Sequence, residues 1–180
     1  VFRSIIHDRF VEKGDLKYTL VYVPEGNRPD DNNSDIYDDI DIVQDDDFSN
    51  HIIDKFTRIV QEVSPTTTVK KFTSDSTNRD EILTAFANGD LEVLTSMKCL
   101  DEGVDIPRSE LAIFCASTGN PRQFIQRRGR ILRTHKDKKF AYIHDLVVVP
   151  EVSSAAESFN MERNLLAGEI RRVKDFALLS

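Results

Sequence analysis

The chain has 180 residues, of which 39% are hydrophobic and 31% are charged, so it is long enough for one domain with a core. This composition excludes collagen-like, coiled-coil and disordered proteins. No apolar run reaches the ~18 residues that a membrane span needs and no signal peptide is recognisable, so we expect a cytoplasmic protein without a membrane partner. The two cysteines lack ligand spacing, which argues against a disulfide framework and a metal site.

The net charge of −7 is divided between two segments of opposite sign. Residues 28–47 contain nine aspartates and one arginine, and we expect this acidic insert to be a loop with little fixed structure. Residues 122–139 contain eight Lys or Arg and one aspartate, which predicts either contact with a polyanion or a solvated helix face. The insert is then either a solvated loop or an electrostatic gate that occupies the basic segment until a polyanion, such as a nucleic acid, displaces it.

Helices and strands are predicted to alternate along the chain. Apolar residues at helical spacing predict helices over residues 1–13, 49–63, 78–88, 122–133 and 155–179, with Ser49 capping the second. Short apolar runs predict strands over residues 18–23, 67–72, 92–96, 111–116 and 140–149. This alternation predicts an α/β fold with a mostly parallel sheet and helices on both faces. The last helix is expected to bury Phe159, Leu165, Leu166, Ile170, Val173 and Phe176.

The first candidate functional segment is SMKCLDEGVDIP, residues 96–107, which follows a predicted strand. In open parallel sheets, ligands bind beyond the carboxyl ends of the strands. Gly103 permits close approach of the backbone to a ligand, and Asp105 can accept hydrogen bonds from hydroxyl groups. An ordinary polar turn has the same composition, so this segment alone does not decide between a ligand-binding loop and such a turn.

The second candidate segment is QRRGRILR, residues 126–133, on the predicted helix after the strand that starts at residue 111. At 100° per residue, Gln126, Arg130 and Arg133 form one stripe that points away from the core, at the ligand edge of the sheet. Two forked guanidinium groups in this arrangement suit phosphate oxygens. Gly129 lets a ligand approach the backbone, whereas Arg128, at about 200° from Gln126, is expected next to the core-facing surface.

These segments, together with FTSDSTNRD at residues 72–80, resemble motifs IVa, V and VI of the superfamily 2 helicases, within their second RecA-like domain. The pair EGxDxP and QRxGRxxR is most similar to that of the XPB-like DNA helicases and of the motor subunits of type I and III restriction systems. The resemblance covers about residues 18–149 and implies a RecA-like three-layer sandwich. It divides the chain into an N-terminal flanking helix and linker, the RecA-like domain and a C-terminal helix, at residues 1–17, 18–150 and 151–180.

The resemblance also implies roles for the residues of motifs V and VI. Arg130 and Arg133 match arginine fingers, and Gln126 matches the residue that contacts the γ-phosphate or the attacking water. Gly103 and Asp105 match positions that couple the nucleotide to the nucleic acid, and these two residues and Glu102 are expected to bind the nucleotide.

Nucleic-acid contacts are expected from Ser74, Ser96 and Arg122. Many helicases have a threonine six residues before the motif V glycine, and here Met97 occupies that position, so Ser96 is expected to take over the contact. The predicted nucleic-acid partner is DNA, although the residues do not distinguish it from RNA.

The sequence contains neither GxxxxGK[ST] nor a DExx box at the end of a strand. We therefore expect ATP and Mg²⁺ to be held mainly by an N-terminal RecA-like domain of the same polypeptide, and this chain alone to be inactive. The first residue, Val1, agrees with a piece of a larger protein. The predicted function is the C-terminal half of an ATP-dependent DNA helicase or translocase. The alternative is a nucleic-acid-binding or scaffold module that hydrolyses nothing.

Overall fold

Helices and strands alternate along the chain in a computed structural model that describes residues 1–24, 45–97, 104–115, 121–149 and 156–178. The five strands are β1 (Thr19–Tyr22), β2 (Val69–Phe72), β3 (Val93–Ser96), β4 (Leu111–Phe114) and β5 (Tyr142–Asp145). The five helices are α1 (Phe2–Lys13), α2 (Asp45–Val63), α3 (Arg79–Asn88), α4 (Pro121–Ile131) and α5 (Ala156–Leu178).

The strands form one sheet in the order β2-β3-β1-β4-β5, and every pair of neighbours is parallel. β1 lies at the centre, where Thr19 is in register with Val93 on one side and with Leu111 on the other. All residues of β1, β3 and β4 are buried, as is typical of parallel strands that are covered on both faces. The predicted α/β fold is therefore confirmed.

Each face of the sheet has its own apolar cluster, because side chains alternate between the faces along each strand. Leu20 and Tyr22 of β1 pack on the face that carries Phe86 of α3 and Ile131 of α4. Val21 packs on the opposite face, with residues of α1 and α2 that include Phe2, Ile6, Ile53 and Val60. The result is three layers, with α1 and α2 on one side of the sheet and α3 and α4 on the other.

The second helix begins earlier than the sequence suggested. α2 starts at Asp45, so Ser49 lies inside the helix instead of capping it, and residues 45–47 of the predicted acidic loop are helical. Acidic residues in a first helical turn are stabilised by the positive end of the helix dipole, which explains the earlier start. Residues 25–44, the remainder of the insert, lie outside the described residues.

The last helix is less buried than predicted. Leu165, Ile170 and Val173 are each close to half exposed, and the side chains of Phe159 and Phe176 are outside the described residues. The described residues of α5 contact the sheet through an ion cluster, described next. None of the helices in the described ranges combines the length and apolarity needed to cross a bilayer.

A nearly buried ion cluster connects α5 to the edge strand β5. Arg172 pairs with Asp145 at the end of β5 and with Glu169 one turn earlier on α5. Burial lowers the pKa of Arg172, but the hydrogen bonds and charges of the two carboxylates outweigh burial and raise this pKa overall. Arg172 therefore stays charged and holds α5 against the sheet.

Candidate functional site

The helix of motif VI, α4, is held against the sheet by a buried arginine. Arg127 is only 6% exposed, and its guanidinium lies 5.1 Å from the ring centroid of Tyr22, the last residue of β1. The Tyr22 ring in turn packs on Phe114, the last residue of β4, with 4.9 Å between centroids. A cation over an aromatic ring is favourable, and a buried one is worth about 2 kcal/mol. This contact places the middle of α4 near the carboxyl ends of β1 and β4.

The orientation of Arg127 decides where its neighbours on α4 point. Gln126 is exposed, as predicted, and Arg128 is only half-buried. Arg128 was expected next to the core-facing surface, and the buried position beside it is taken by Arg127. The contact of Arg127 with the Tyr22 ring fixes this orientation of the helix.

The two predicted arginine fingers both reach the segment that precedes β4. Arg130 donates a hydrogen bond from Nη1 to the carbonyl oxygen of Val104. Arg133 forms an ion pair with the carboxylate of Asp105, and the side chains of these two residues are 47% and 65% exposed. Motif V and motif VI therefore meet through these two contacts, and Arg133 is partly accessible to solvent.

Arg133 does not lie on the helix, however. α4 ends at Ile131, and the backbone N–H of Arg133 donates to the carbonyl of Arg130 at 3.4 Å in a final tight turn. The predicted stripe of Gln126, Arg130 and Arg133 on a single helix is therefore wrong at its last member. The helix ends early because the carbonyl of Ile131 accepts a hydrogen bond from the side chain of Lys138, at 2.8 Å.

The end of α4 lies near the amino ends of the strands. Arg108 packs over the ring of Tyr18, the residue before β1, with its guanidinium carbon 4.3 Å from the ring centroid. The same guanidinium is 3.6 Å from Asp137, which follows α4. The sequence predicted Arg130 and Arg133 at the edge of the sheet where the strands have their carboxyl ends. A helix that follows a parallel strand runs back along the sheet, however, and it carries these two arginines toward the amino ends of the strands.

The remaining predicted site residues differ in their exposure to solvent. Ser74 is exposed in the turn after β2, whereas Ser96 is completely buried at the end of β3. Glu102 and Gly103 lie outside the described residues, as does the side chain of Arg122. Among the predicted site residues in the described ranges, the structure brings Asp105 and Arg133 into contact. Ser96 is completely buried, so it offers no surface to a phosphate in this arrangement.

Comparison with known proteins identifies the domain. Residues 48–135 match the family model described as the helicase conserved C-terminal domain. The chain contains a C-terminal RecA-like domain of a superfamily 2 helicase.

Relatives of this helicase domain agree with the assignment. A stretch of 71 residues is 45% identical to the DNA 3'-5' translocase XPB2 of Sulfurisphaera tokodaii and covers 39% of this chain and 16% of that protein. A stretch of 69 residues is 36% identical to IRC3 of Saccharomyces cerevisiae and covers 38% of this chain and 10% of that protein. The chain therefore spans only a small part of the length of these relatives.

A solved structure supports the RecA-like fold. The C-terminal part of the Fun30 ATPase domain superposes with a TM-score of 0.57 at 11% identity, over 97% of this chain and 52% of that one. At this level of identity the likeness concerns the fold alone.

Three residues that position the helicase motifs were not singled out from the sequence. Arg127 anchors α4, Lys138 caps it, and Arg108 holds the turn that follows it. The burial of Arg127 depends on a ring contact with a strand about a hundred residues earlier in the chain, and the sequence has no local signal for it. The cationic character of Lys138 near a helix end is a weak signal that could have been noticed.

Proposed function

We propose that this chain is the C-terminal half of the motor of an ATP-dependent DNA helicase or translocase, with Arg130 and Arg133 as arginine fingers of a composite ATP site. The observation that carries this proposal is the meeting of motifs V and VI, through Arg130 with Val104 and Arg133 with Asp105. Two permanently cationic groups are thereby held side by side, next to residues expected to couple nucleotide and nucleic acid.

The chemistry of these side chains suits phosphoryl transfer. Negative charge spreads over the phosphate oxygens in the transition state, and a forked guanidinium stabilises it. Gln126 is exposed and is available to orient the attacking water. These residues therefore supply the charge stabilisation and the positioning that such a site needs.

The ion pair between Arg133 and Asp105 is weak enough to be exchanged for a phosphate. Both side chains are about half exposed or more, and pairs of this kind contribute at most about 1 kcal/mol. An arginine finger contributes 10³–10⁵ in rate, which is about 4–7 kcal/mol of transition-state stabilisation. We therefore expect Arg133 to leave Asp105 when the composite site closes.

The residues present fit only part of an ATP site. No group of three or more His, Cys, Asp or Glu in the described ranges could hold a metal ion, and the sequence has no GxxxxGK[ST] loop. When bound, Mg²⁺ neutralises charge on the phosphates, and we propose that it and ATP are held mainly by an N-terminal RecA-like domain. From this chain, the nucleotide is expected to be contacted by Glu102, Gly103 and Asp105.

The proposed DNA contacts rest on residues beyond the ATP site. Ser74 is exposed after β2, and Arg122 belongs to the basic segment 122–139. Such phosphate contacts weaken as salt is added, because binding releases counterions. Ser96 is the least accessible member of the predicted set, since its side chain is completely buried.

Alanine substitution of each finger in the full-length protein tests the proposal. Arg130→Ala or Arg133→Ala should lower the DNA-stimulated kcat of ATP hydrolysis by ~10³-fold or more, with a smaller change in the KM for ATP. Arg58→Ala, at an exposed arginine on α2, is the matched control and should keep wild-type kcat. Full activity in both finger variants would contradict the arginine-finger role.

A second candidate function is a nucleic-acid-binding or scaffold module without hydrolysis, which the charge of residues 122–139 favours. The full-length wild-type protein separates the two candidates. DNA binding without any DNA-stimulated ATP hydrolysis would support the module, whereas stimulated hydrolysis would support the motor.

A further inference from the structure

A tight turn follows α4 and reaches back to the end of this helix. His135 and Lys138 form an antiparallel bridge across the turn, and the N–H of Lys138 donates to the carbonyl of His135 at 3.1 Å. The side chain of Lys138 then donates from Nζ to the carbonyl oxygen of Ile131, the last residue of α4, at 2.8 Å. The last carbonyls of a helix have no partner within it and carry the negative end of its dipole, so a lysine there is favourable.

The same turn is anchored to the sheet by Arg108. The guanidinium of Arg108 lies 3.4 Å from Nδ1 of His135 and 3.6 Å from the carboxylate of Asp137, while it packs over Tyr18. The N–H of Asp137 also donates to Nδ1 of His135, at 3.2 Å. The turn is therefore attached to α4 on one side and to the residue before β1 on the other.

Arg133 lies in the short connection between these two attachments. The connection starts at Ile131, which is completely buried, and ends at His135 in the turn. The ion pair of Arg133 with Asp105 is too exposed to fix the backbone by itself, because surface pairs contribute little. The backbone position of Arg133 is consequently set by the turn and by the hydrogen bond that Lys138 donates to the carbonyl of Ile131.

We propose that Lys138 is a positioning residue for the arginine finger Arg133: by holding the carbonyl of Ile131 it fixes the direction in which the chain leaves α4 and presents Arg133. The inference rests on the proposed function, since it assigns Lys138 a part in catalysis only through Arg133. Small displacements of a reacting group are costly in rate, so a loosened connection should affect turnover more than binding.

Replacement of Lys138 in the full-length protein tests this role. Lys138→Met keeps the aliphatic stem but removes the donor, and it should lower the DNA-stimulated kcat about tenfold with the KM for ATP within about twofold. Lys138→Arg should restore most of the kcat, because a guanidinium can donate to the same carbonyl. Lys139→Met removes a neighbouring exposed lysine and should keep wild-type kcat. Circular dichroism at the assay temperature verifies that each variant is folded.

A double mutant separates positioning from a general loss of structure. If Lys138 acts through Arg133, the variant Arg133→Ala with Lys138→Met should have the kcat of Arg133→Ala alone. A further tenfold loss in the double mutant would overturn the inference, as would a raised KM with unchanged kcat in Lys138→Met.

A second variant keeps the test decisive if Lys138→Met fails to fold. Arg108→Lys retains the positive charge but loses the guanidinium that packs over Tyr18 and contacts the turn, and it should produce a similar fall in kcat without a change in KM. Wild-type kcat in folded Lys138→Met, or in folded Arg108→Lys where Lys138→Met does not fold, would overturn the positioning role and leave the arginine fingers intact. Full activity of both Arg130→Ala and Arg133→Ala would instead contradict the arginine-finger role in the proposed function itself.

Discussion

At the scale of single residues, two adjacent arginines have different environments. Arg127 is buried over Tyr22, whereas Arg128 is half-buried. The pattern QRRGRILR is compatible with either arginine at the core, because small rotations of a helix exchange neighbouring positions at its boundary. Tyr22 determines the outcome, and it comes from a strand far away in sequence. The exposed position of Gln126 was predictable from the same pattern, since it follows from the polar stripe alone.

Another residue-scale feature is the thiol of Cys115, which follows β4. Burial raises its pKa from 9.0 to about 12. In a Cys99→Ser background, where Cys115 is the one remaining cysteine, we expect iodoacetamide to react with the folded chain at pH 8 ~10³-fold more slowly than with the chain in denaturant. The reason is that the reactive thiolate fraction falls tenfold for each unit by which the pKa rises. Mass spectrometry of the alkylated protein measures both rates.

The pH dependence provides the control for this comparison. Between pH 8 and pH 10 the rate for folded Cys115 should rise about a hundredfold, while the rate in denaturant should level off above pH 9. A folded rate that also levels off near pH 9 would contradict the raised pKa and indicate that limited access alone slows the reaction.

At the scale of elements, the type of every helix and strand in the described ranges was predictable, but several boundaries were not. Periodicity along the sequence reports which face of an element is apolar, and that property survives even when an end moves by a few residues. α4 ends two residues early because Lys138 takes the carbonyl of Ile131, a contact made across the following turn. α5 was predicted to bury its apolar residues, but its ion cluster with β5 leaves Leu165 and Ile170 close to half exposed.

Two helix ends offer a matched test of local packing. Gly14 ends α1 and Gly89 ends α3, both in the left-handed region with φ near +80°. A Cβ at Gly89 would lie 2.9 Å from Oη of Tyr18, whereas a Cβ at Gly14 would meet nothing within 4 Å. Gly14→Ala should cost about 1 kcal/mol of unfolding free energy for the strained backbone, and Gly89→Ala about 2–3 kcal/mol because Tyr18 must also move.

Urea denaturation of the two glycine variants measures this difference. Tyr18 packs edge-on against Phe86 and carries the guanidinium of Arg108 on its ring, so it has little room to yield. Equal losses of unfolding free energy in Gly14→Ala and Gly89→Ala would show that the crowding at Gly89 relaxes without cost.

At the scale of the whole molecule, the sequence predicted the functional motifs better than it predicted their position relative to the sheet. Motifs V and VI were recognisable, and the contact of Arg133 with Asp105 agrees with their pairing. The edge of the sheet at which the arginines lie was predicted wrongly, because the sequence shows where α4 begins but not how far back it carries its last residues. Glu102 and Gly103, the other motif V candidates, lie outside the described residues and stay predictions.

The proposed division of an ATP site between two domains leads to an expectation for the 180-residue chain alone. Purified by itself, it should show no ATP hydrolysis above background with or without DNA, because its sequence has no phosphate-binding loop. A coupled-enzyme assay with and without DNA measures this. Turnover that disappears in Arg130→Ala would mean that the chain holds a complete site.

The central position of β1 has a consequence for how the chain folds. β1 is made before both of its neighbours, which start at Val93 and Leu111, so its pairing must wait for distant parts of the chain. Each parallel pair also requires a crossover connection, and topologies with such long-range pairing fold slowly. Until β4 emerges from the ribosome, the apolar run of β1 keeps one open edge, where a nascent chain is exposed to misassociation.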